Sequence, residues 1–273
     1  MIPAPPARGR LSTFLRVSAG VHVGVGIGLA LAPSNWPLAA AAIAANHVAI
    51  ALGGVLPRCG LLGPNLTRLP LGATAGVVAL TFDDGPDPAT TPAVLDLLEA
   101  RGARASFFCI GRLVERHPEL AREIRSRGHQ VENHSYRHSH SFGFLGPARL
   151  RDDIERAQDA IERATGGRPT LFRAPAGIRN MFLDLVLERL GLRLVSWTRR
   201  GFDTVSRRPP RIAARLSTGL AVGDILLLHD GAPVLSPRGP AVVMEVLPLL
   251  LDSLARLDLR SVPIAEALNG EGP

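Results

Sequence analysis

The chain has 273 residues, 46% hydrophobic and 20% charged, with 31 basic against 24 acidic side chains and a formal charge of +7. That balance excludes a disordered polar chain. Every basic residue is arginine, which rules out lysine chemistry such as a Schiff base, and residues 1–70 hold Arg8, Arg10, Arg16, Arg58 and Arg68 with no Asp or Glu. The rest of the chain is therefore almost neutral. A nucleic-acid binder would concentrate basic side chains and stacking rings in its folded part, and aromatics are only 4% here, so that function is set aside.

In chain order, the first feature is an uncharged stretch from Val17 to Pro57, interrupted by Pro33-Ser34-Asn35-Trp36-Pro37. It predicts a hydrophobic hairpin over residues 1–58, with apolar helices at about 17–32 and 38–56. Each lies near the lower limit of the roughly 17–25 residues that cross a bilayer. The density of Gly and Ala suits close helix packing in lipid, and Trp36 fits an interfacial anchor. The alternative is a soluble hairpin buried against the following domain. A cleaved signal peptide fits poorly, because the apolar stretch continues far beyond any plausible cleavage site.

Arginines before and after the hairpin, with none in its turn, place both ends in the cytoplasm beneath a bacterial-type inner membrane. If one segment alone spans, the following domain lies instead on the periplasmic or exterior side.

Residues 59–76, rich in Gly, Pro and Leu, are expected to be a linker. From residue 77 to 268 seven short apolar runs alternate with amphipathic stretches, and 269–273 form a tail. The runs are Val77–Phe82, Ala105–Ile110, Gln130–Asn133, Thr170–Phe172, Leu192–Ser196, Ile225–Leu228 and Leu259–Ile264. The clearest helix is Pro147–Thr165, where Leu150, Ile154, Ala157 and Ile161 recur at helical spacing. Gly102, Gly128, Gly166 and Gly191 read as C-terminal caps. Such alternation argues for a parallel α/β domain, either a barrel or an open doubly wound sheet. Cys59 and Cys109 read as free thiols.

Reactive groups fall at the ends of five runs: Asp83 and Asp84 after the first, His134 and His138 after the third, Arg173 after the fourth, Asp203 after the fifth, and His229 with Asp230 after the sixth. Chemistry spread over several strand ends favours a barrel mouth. Adjacent carboxylates repel unless a cation intervenes. His134 and His138, four apart, are expected on one side of a helical turn, so two imidazoles and a carboxylate make a three-ligand metal site.

Across Thr81-Phe82-Asp83-Asp84-Gly85-Pro86, His134-Ser135-Tyr136-Arg137-His138, Arg173-Ala174-Pro175-Ala176-Gly177 and Leu227-Leu228-His229-Asp230, the chain resembles the polysaccharide deacetylase family. This is the NodB-homology domain of carbohydrate esterase family 4, and the likeness runs from about Val77 to Ile264. The resemblance implies a distorted barrel of seven or eight β/α units and hydrolysis of N-acetyl groups on a polysaccharide, oligosaccharide or lipid-linked sugar.

By the same resemblance, Asp84, His134 and His138 hold a divalent metal, zinc being expected and cobalt or nickel possible substitutes. Asp83 is the base that deprotonates the attacking water, Arg173 keeps that base ionised and oriented, and His229 is the acid for the leaving amine. The Ala176 amide stabilises the oxyanion, Leu228 lines the pocket for the acetyl methyl, and Trp197 belongs to the substrate groove.

The fourth motif departs from the pattern. In Trp197-Thr198-Arg199-Arg200-Gly201-Phe202-Asp203-Thr204, Arg200 replaces an acid and Thr204 an aromatic, while Asp203 remains available to tune His229. Arg199 and Arg200 either greet a substrate carrying phosphate or carboxylate, or are solvated at a strand end. Two other functions stay open: O-deacetylation of an acylated glycan, and a non-catalytic, membrane-held carbohydrate-binding relative. The number of chains in the assembly is open too.

Overall fold

The computed structural model describes residues 11–70 and 76–269. Helix α1 (Thr13–Leu31) begins at Ser12, whose Oγ accepts from the Leu15 N–H and donates to the Leu61 carbonyl at 2.8 Å. After a 3₁₀ turn at Pro33–Asn35, helix α2 (Trp36–Val55) runs back beside α1. Both are long and apolar enough to cross a membrane, by length and composition. Their large side chains point outward: Leu31 is 82% exposed, Leu38 73% and Trp36 66%. The polar groups of the hairpin turn to each other instead, with Asn46 Nδ2 donating to Ser18 Oγ at 2.8 Å and the His22 and His47 rings edge to face at 5.2 Å.

The remainder is an eight-stranded, all-parallel sheet curled into an incompletely closed barrel. Its strands are β1 (Val77–Asp83), β2 (Ala105–Cys109), β3 (Gln130–Asn133), β4 (Leu171–Phe172), β5 (Arg193–Leu194), β6 (Arg199–Arg200), β7 (Ile225–His229) and β8 (Arg260–Ser261). The spatial order is β5-β4-β3-β2-β1-β7-β6, with β8 beside the start of β1. Strand β1 is buried along its whole length, as expected of a central strand covered on both faces. Period-two alternation sends Ala79, Phe108, Leu227 and Trp197 into the interior cluster. Leu80, Phe82, Phe107 and Leu228 go instead to the layer beneath the helices.

Between the strands lie α3 (Thr91–Glu99), α4 (Gly111–Arg116), α5 (Pro118–Ser126), α6 (Pro147–Thr165), α7 (Leu183–Arg189), α8 (Pro209–Ser217) and α9 (Val242–Arg256), and α10 (Ile264–Asn269) follows β8. Gly102, Gly128, Gly166 and Gly191 all have positive φ at helix ends, as their cap reading requires.

Strand β6 was not among the seven runs, so Asp203 follows the sixth strand rather than the fifth. Residues 62–69, inside the stretch expected to be a linker, pack into the barrel. Leu62 and Leu69 are each 1% exposed. The Leu66 N–H donates to the Leu194 carbonyl, the Ser196 N–H donates back to the Leu66 carbonyl, and the Leu69 N–H donates to the Gly223 carbonyl. This strap crosses the gap between β5 and the start of β7.

The hairpin meets the barrel at the end of α2. Buried Arg179 donates its own N–H to the Gly54 carbonyl at 3.0 Å, and its guanidinium donates to the carbonyls of Gly53, Cys59 and Gly63. A Cβ on Gly177 would come within 2.6 Å of the Trp197 ring and 3.1 Å of Pro57, so the loop after β4, the hairpin end and Trp197 are packed as one unit.

Candidate active site

Asp83 and Asp84 end β1 at the C-terminal mouth of the barrel. The left-handed backbone of Asp84 (φ 73) turns its side chain away from that of Asp83, and the Gly85–Pro86 bond that follows is cis. No side chain fits at Gly85 or Gly231: a Cβ would meet Asp230 at 2.3 Å in the first case and the Asp84 carbonyl at 2.0 Å in the second. Loops after β1 and β7 are thereby pressed together.

His134 and His138 do not share a helical turn. The segment after β3 is a sharp non-helical loop in which Ser135 (φ 64) and His138 (φ 50) are left-handed. Asn133 Oδ1 accepts from the Ser135 N–H at 2.8 Å, and Ser135 Oγ accepts from the His138 N–H at 3.0 Å. The loop brings the two rings to 4.9 Å between centroids. Asp84 Oδ1 lies 3.4 Å from His134 Nε2 and 3.1 Å from His138 Nε2, and the three ligand atoms fall within 4.8 Å of one another.

His134 Nδ1 lies 2.8 Å from the Arg173 carbonyl, which can only accept, so the proton of a neutral ring sits on Nδ1 and Nε2 offers a lone pair. That lone pair faces buried Asp84 Oδ1, which has no hydrogen-bond partner. Two acceptors at this distance repel unless a cation or a proton lies between them. The donor set, two imidazoles and one carboxylate, fits a divalent first-row ion. Burial alone would push the His134 imidazole down, but the Asp83 and Asp84 carboxylates hold it up; burial likewise raises the Asp84 carboxyl, and the two histidines more than reverse this.

Asp83 borders the cluster, its Oδ2 lying 3.8 Å from His134 Nε2. Its Oδ1 accepts from Arg173 Nη1 at 2.6 Å, and both residues are almost fully buried. Arg173 also donates to Thr81 Oγ1 at 2.8 Å and to the Ser196 carbonyl at 3.0 Å, with its guanidinium 4.1 Å above the Phe108 ring. Burial pulls the guanidinium pKa down and Asp83 pulls it up. A buried charge is tolerated when it is paired in this way, and the pair fixes the orientation of the carboxylate.

Beyond Asp83, at the end of β7, His229 Nδ1 lies 2.9 Å from Asp203 Oδ1, and its backbone N–H donates to Asp203 Oδ2 at 2.8 Å. Burial would lower the imidazole pKa, but the bond and charge of Asp203, helped by Asp83 and Asp84, raise it. The proton that remains is on Nε2, available to a leaving group. Ala176 lies in a 3₁₀ turn after β4 with φ 54, a left-handed conformation that costs an alanine about 1–2 kcal/mol. Trp197, 6% exposed, packs in the interior cluster with its ring centroid 5.9 Å from the Arg173 guanidinium.

The mouth thus gathers Asp83, Asp84, His134, His138, Arg173, Ala176, Asp203, His229 and Trp197. Leu228 is not among them. It packs beneath the helices, and its neighbour Leu227 faces the interior beside Phe108 and Trp197. Arg199 is also withdrawn, held by Asp224 and the carbonyls of Thr218 and Gly219.

Asp230 went unassigned in the sequence. It is fully buried, accepts from Thr91 Oγ1 at 2.5 Å, and its carboxyl is pushed up to about 7 by burial and by the nearby Asp84 and Asp83. Thr91 Oγ1 also accepts from the Asp87 N–H, so it ties the β1 and β7 loops together rather than capping α3. The only signal for this was an acid directly following His229.

Residues 72–195 match the family model described as Polysaccharide deacetylase. A peptidoglycan-N-acetylglucosamine deacetylase of Bacillus cereus is 34% identical over 194 residues, 70% of this chain and 88% of the relative. The chain belongs to the polysaccharide deacetylase family. A chitooligosaccharide deacetylase of Azorhizobium caulinodans is 35% identical, covering 57% of this chain and 74% of its own. Among solved structures, a family 4 carbohydrate esterase from Streptomyces lividans superposes with a TM-score of 0.62 at 36% identity, over 69% of this chain and 92% of that one. A family 4 pseudoenzyme from Bacillus anthracis shares the fold with a TM-score of 0.67 at 22% identity, over 75% and 69%. As a family member the chain is a hydrolase acting on N-acetyl carbon–nitrogen bonds of glycans, and its curled parallel sheet is the fold of the family.

Proposed function

We propose that the protein is a metal-dependent N-deacetylase acting on a glycan at a membrane surface. One observation carries the reading: a buried Asp83–Arg173 pair and a buried His229–Asp203 pair stand on adjacent strand ends beside the Asp84, His134, His138 cluster. A carboxylate and an imidazole, each held by its own partner, thus stand together at one candidate metal site.

A divalent ion held by Asp84, His134 and His138, with zinc expected, would acidify a water and polarise the acetyl carbonyl. Asp83 takes the proton of the attacking water, and Arg173 holds its carboxylate in place for that purpose. The Ala176 N–H holds the developing oxyanion. His229 Nε2 gives its proton to the departing amine, and Asp203 stabilises the imidazolium beforehand. An amine leaves poorly without a proton, so this acid favours an amide substrate over an ester. A relative that only binds sugar would have no use for the acid and the base together. Leu227, rather than Leu228, has the position to line the acetyl methyl.

Membrane attachment is supported by outward-facing apolar side chains on two helices with no charge between Val17 and Pro57. Arginine placement favours a cytoplasmic catalytic domain, and a reporter after residue 273 read from each side of the membrane tests this. Full-length protein soluble without detergent would contradict the attachment. Acetate release from N-acetylglucosamine oligomers, lost on chelation and in His134→Ala, tests the catalytic reading. A metal-loaded protein inert on every N-acetylated glycan tried would sink it.

A further inference from the structure

Outside the catalytic mouth, a cleft of about 580 Å³ is lined by Arg58, Arg68, Arg199, Arg200 and Arg215 with Phe202, Thr198 and the single carboxylate of Asp224. Asp224 is fully buried and pairs with Arg68 and Arg199 at 2.5 Å each, so its charge is already outnumbered. Among the described residues, Arg58, Arg200 and Arg215 have no carboxylate within 4.0 Å. Arg58 makes one long bond, to the Thr198 carbonyl at 3.3 Å. Arg200 and Arg215 lie over the Phe202 ring at 5.0 and 5.3 Å, and Arg200 also lies 5.5 Å from Trp197.

Contact with a ring engages the face of a guanidinium and leaves its N–H edge free to donate. The Arg200 Nε is moreover buried without any acceptor. Like charges gathered around an unanswered donor are held at a cost unless an anion joins them.

We propose that this cleft binds a phosphate-ester group. Several guanidinium forks converging on one cavity match the multiple acceptor oxygens of a phosphate better than the two of a carboxylate. Its position names the source. Arg58 stands just past Val55, the last residue of α2, so the cleft opens where the hairpin leaves the apolar layer and lipid headgroups are found. Trp197 is shared: Arg200 is on one side of its ring, and catalytic Arg173 lies 5.9 Å from the same centroid. A lipid phosphate in the cleft is therefore one side chain away from the catalytic mouth, which suits a sugar carried on a lipid phosphate. The lipid source rests on the membrane reading above, whereas the phosphate chemistry does not.

The test uses the full chain in a neutral detergent. Inorganic phosphate, glucuronate and short-chain phosphatidylglycerol are titrated separately against wild type, Arg58→Gln, Arg215→Gln and, as an equal charge change on the surface of α5, Arg122→Gln. Saturable binding weakened about tenfold or more in the first two variants, and unchanged in the third, is expected. Tighter binding of the lipid assigns a headgroup; equal binding assigns free phosphate to the same site. Absence of saturable binding, tighter binding of glucuronate than of phosphate, or equal weakening in Arg122→Gln would overturn the proposal.

Turnover of N-acetylchitotetraose by the same wild-type preparation separates the two readings. Phosphate binding without deacetylation would count against the catalytic proposal alone, and deacetylation without phosphate binding against this one alone.

Discussion

The hairpin and the barrel place polarity in opposite ways. In the barrel, apolar side chains are inside, and buried Arg173 is paired at short range with Asp83. In the hairpin many large apolar side chains are outside, and the few polar groups pair across the helices, Asn46 with Ser18 and the His22 ring with the His47 ring. One sequence therefore carries two patterns suited to two solvents. Water around the barrel rewards apolar burial, whereas hydrocarbon around the hairpin, on the proposed membrane reading, would give no such reward and would leave polar contact to join the helices.

The strongest way to break this comparison is in the barrel, at the metal cluster. His138→Ala is expected to remove metal binding and acetate release together, by metal analysis and turnover assay. Asp83→Asn should keep the metal and lower kcat by about 10²- to 10⁴-fold, the ordinary range for a lost general base; retention of both would exclude Asp83 as the base. In the hairpin, a charge placed in lipid costs about 2.5–3.5 kcal/mol at a helix centre, so Ala45→Asp should reduce insertion in a membrane-integration assay. If it leaves insertion unchanged, the hairpin is not in hydrocarbon.

A subtler effect is a pH shift. His229 must be protonated to act, and its raised pKa means activity is lost as pH rises through that value. In Asp203→Asn the main cause of the raise is gone while burial still lowers the pKa, so the alkaline limb of kcat/KM should move to lower pH. The smallest effect expected is in the hairpin: Asn46→Leu should weaken helix pairing by about 0.6 kcal/mol and leave turnover unchanged.

Much of the site was legible because its residues are contiguous. Asp83 and Asp84 with the following Gly-Pro, and His134 with His138, form short local patterns at strand ends, and seven of eight strands show as apolar runs. The rest depends on contacts between distant segments. Strand β6 is two arginines long and has no apolar run to betray it; only its pairing with Leu226 and Leu227 makes it a strand. The Leu227–Leu228 choice is invisible in a doubly buried strand, where both faces are apolar and alternation carries no signal. His134 and His138 meet through left-handed residues at Ser135 and His138, which spacing alone cannot distinguish from a helical turn. The role of Arg199 was hidden because Asp224 lies far from it in the chain.

The strap at Leu66–Leu69 has a consequence for neighbouring molecules. A curled sheet that stops short of closure leaves outer strands whose unpaired amides could recruit a strand from another chain, a hazard that grows when many copies share one surface. Here β5 and β6 are only two residues long, and the strap takes up hydrogen bonds at Leu194, Ser196 and Gly223 along the opening. The segment that joins the hairpin to β1 thus also covers backbone groups that an open sheet would offer to another chain.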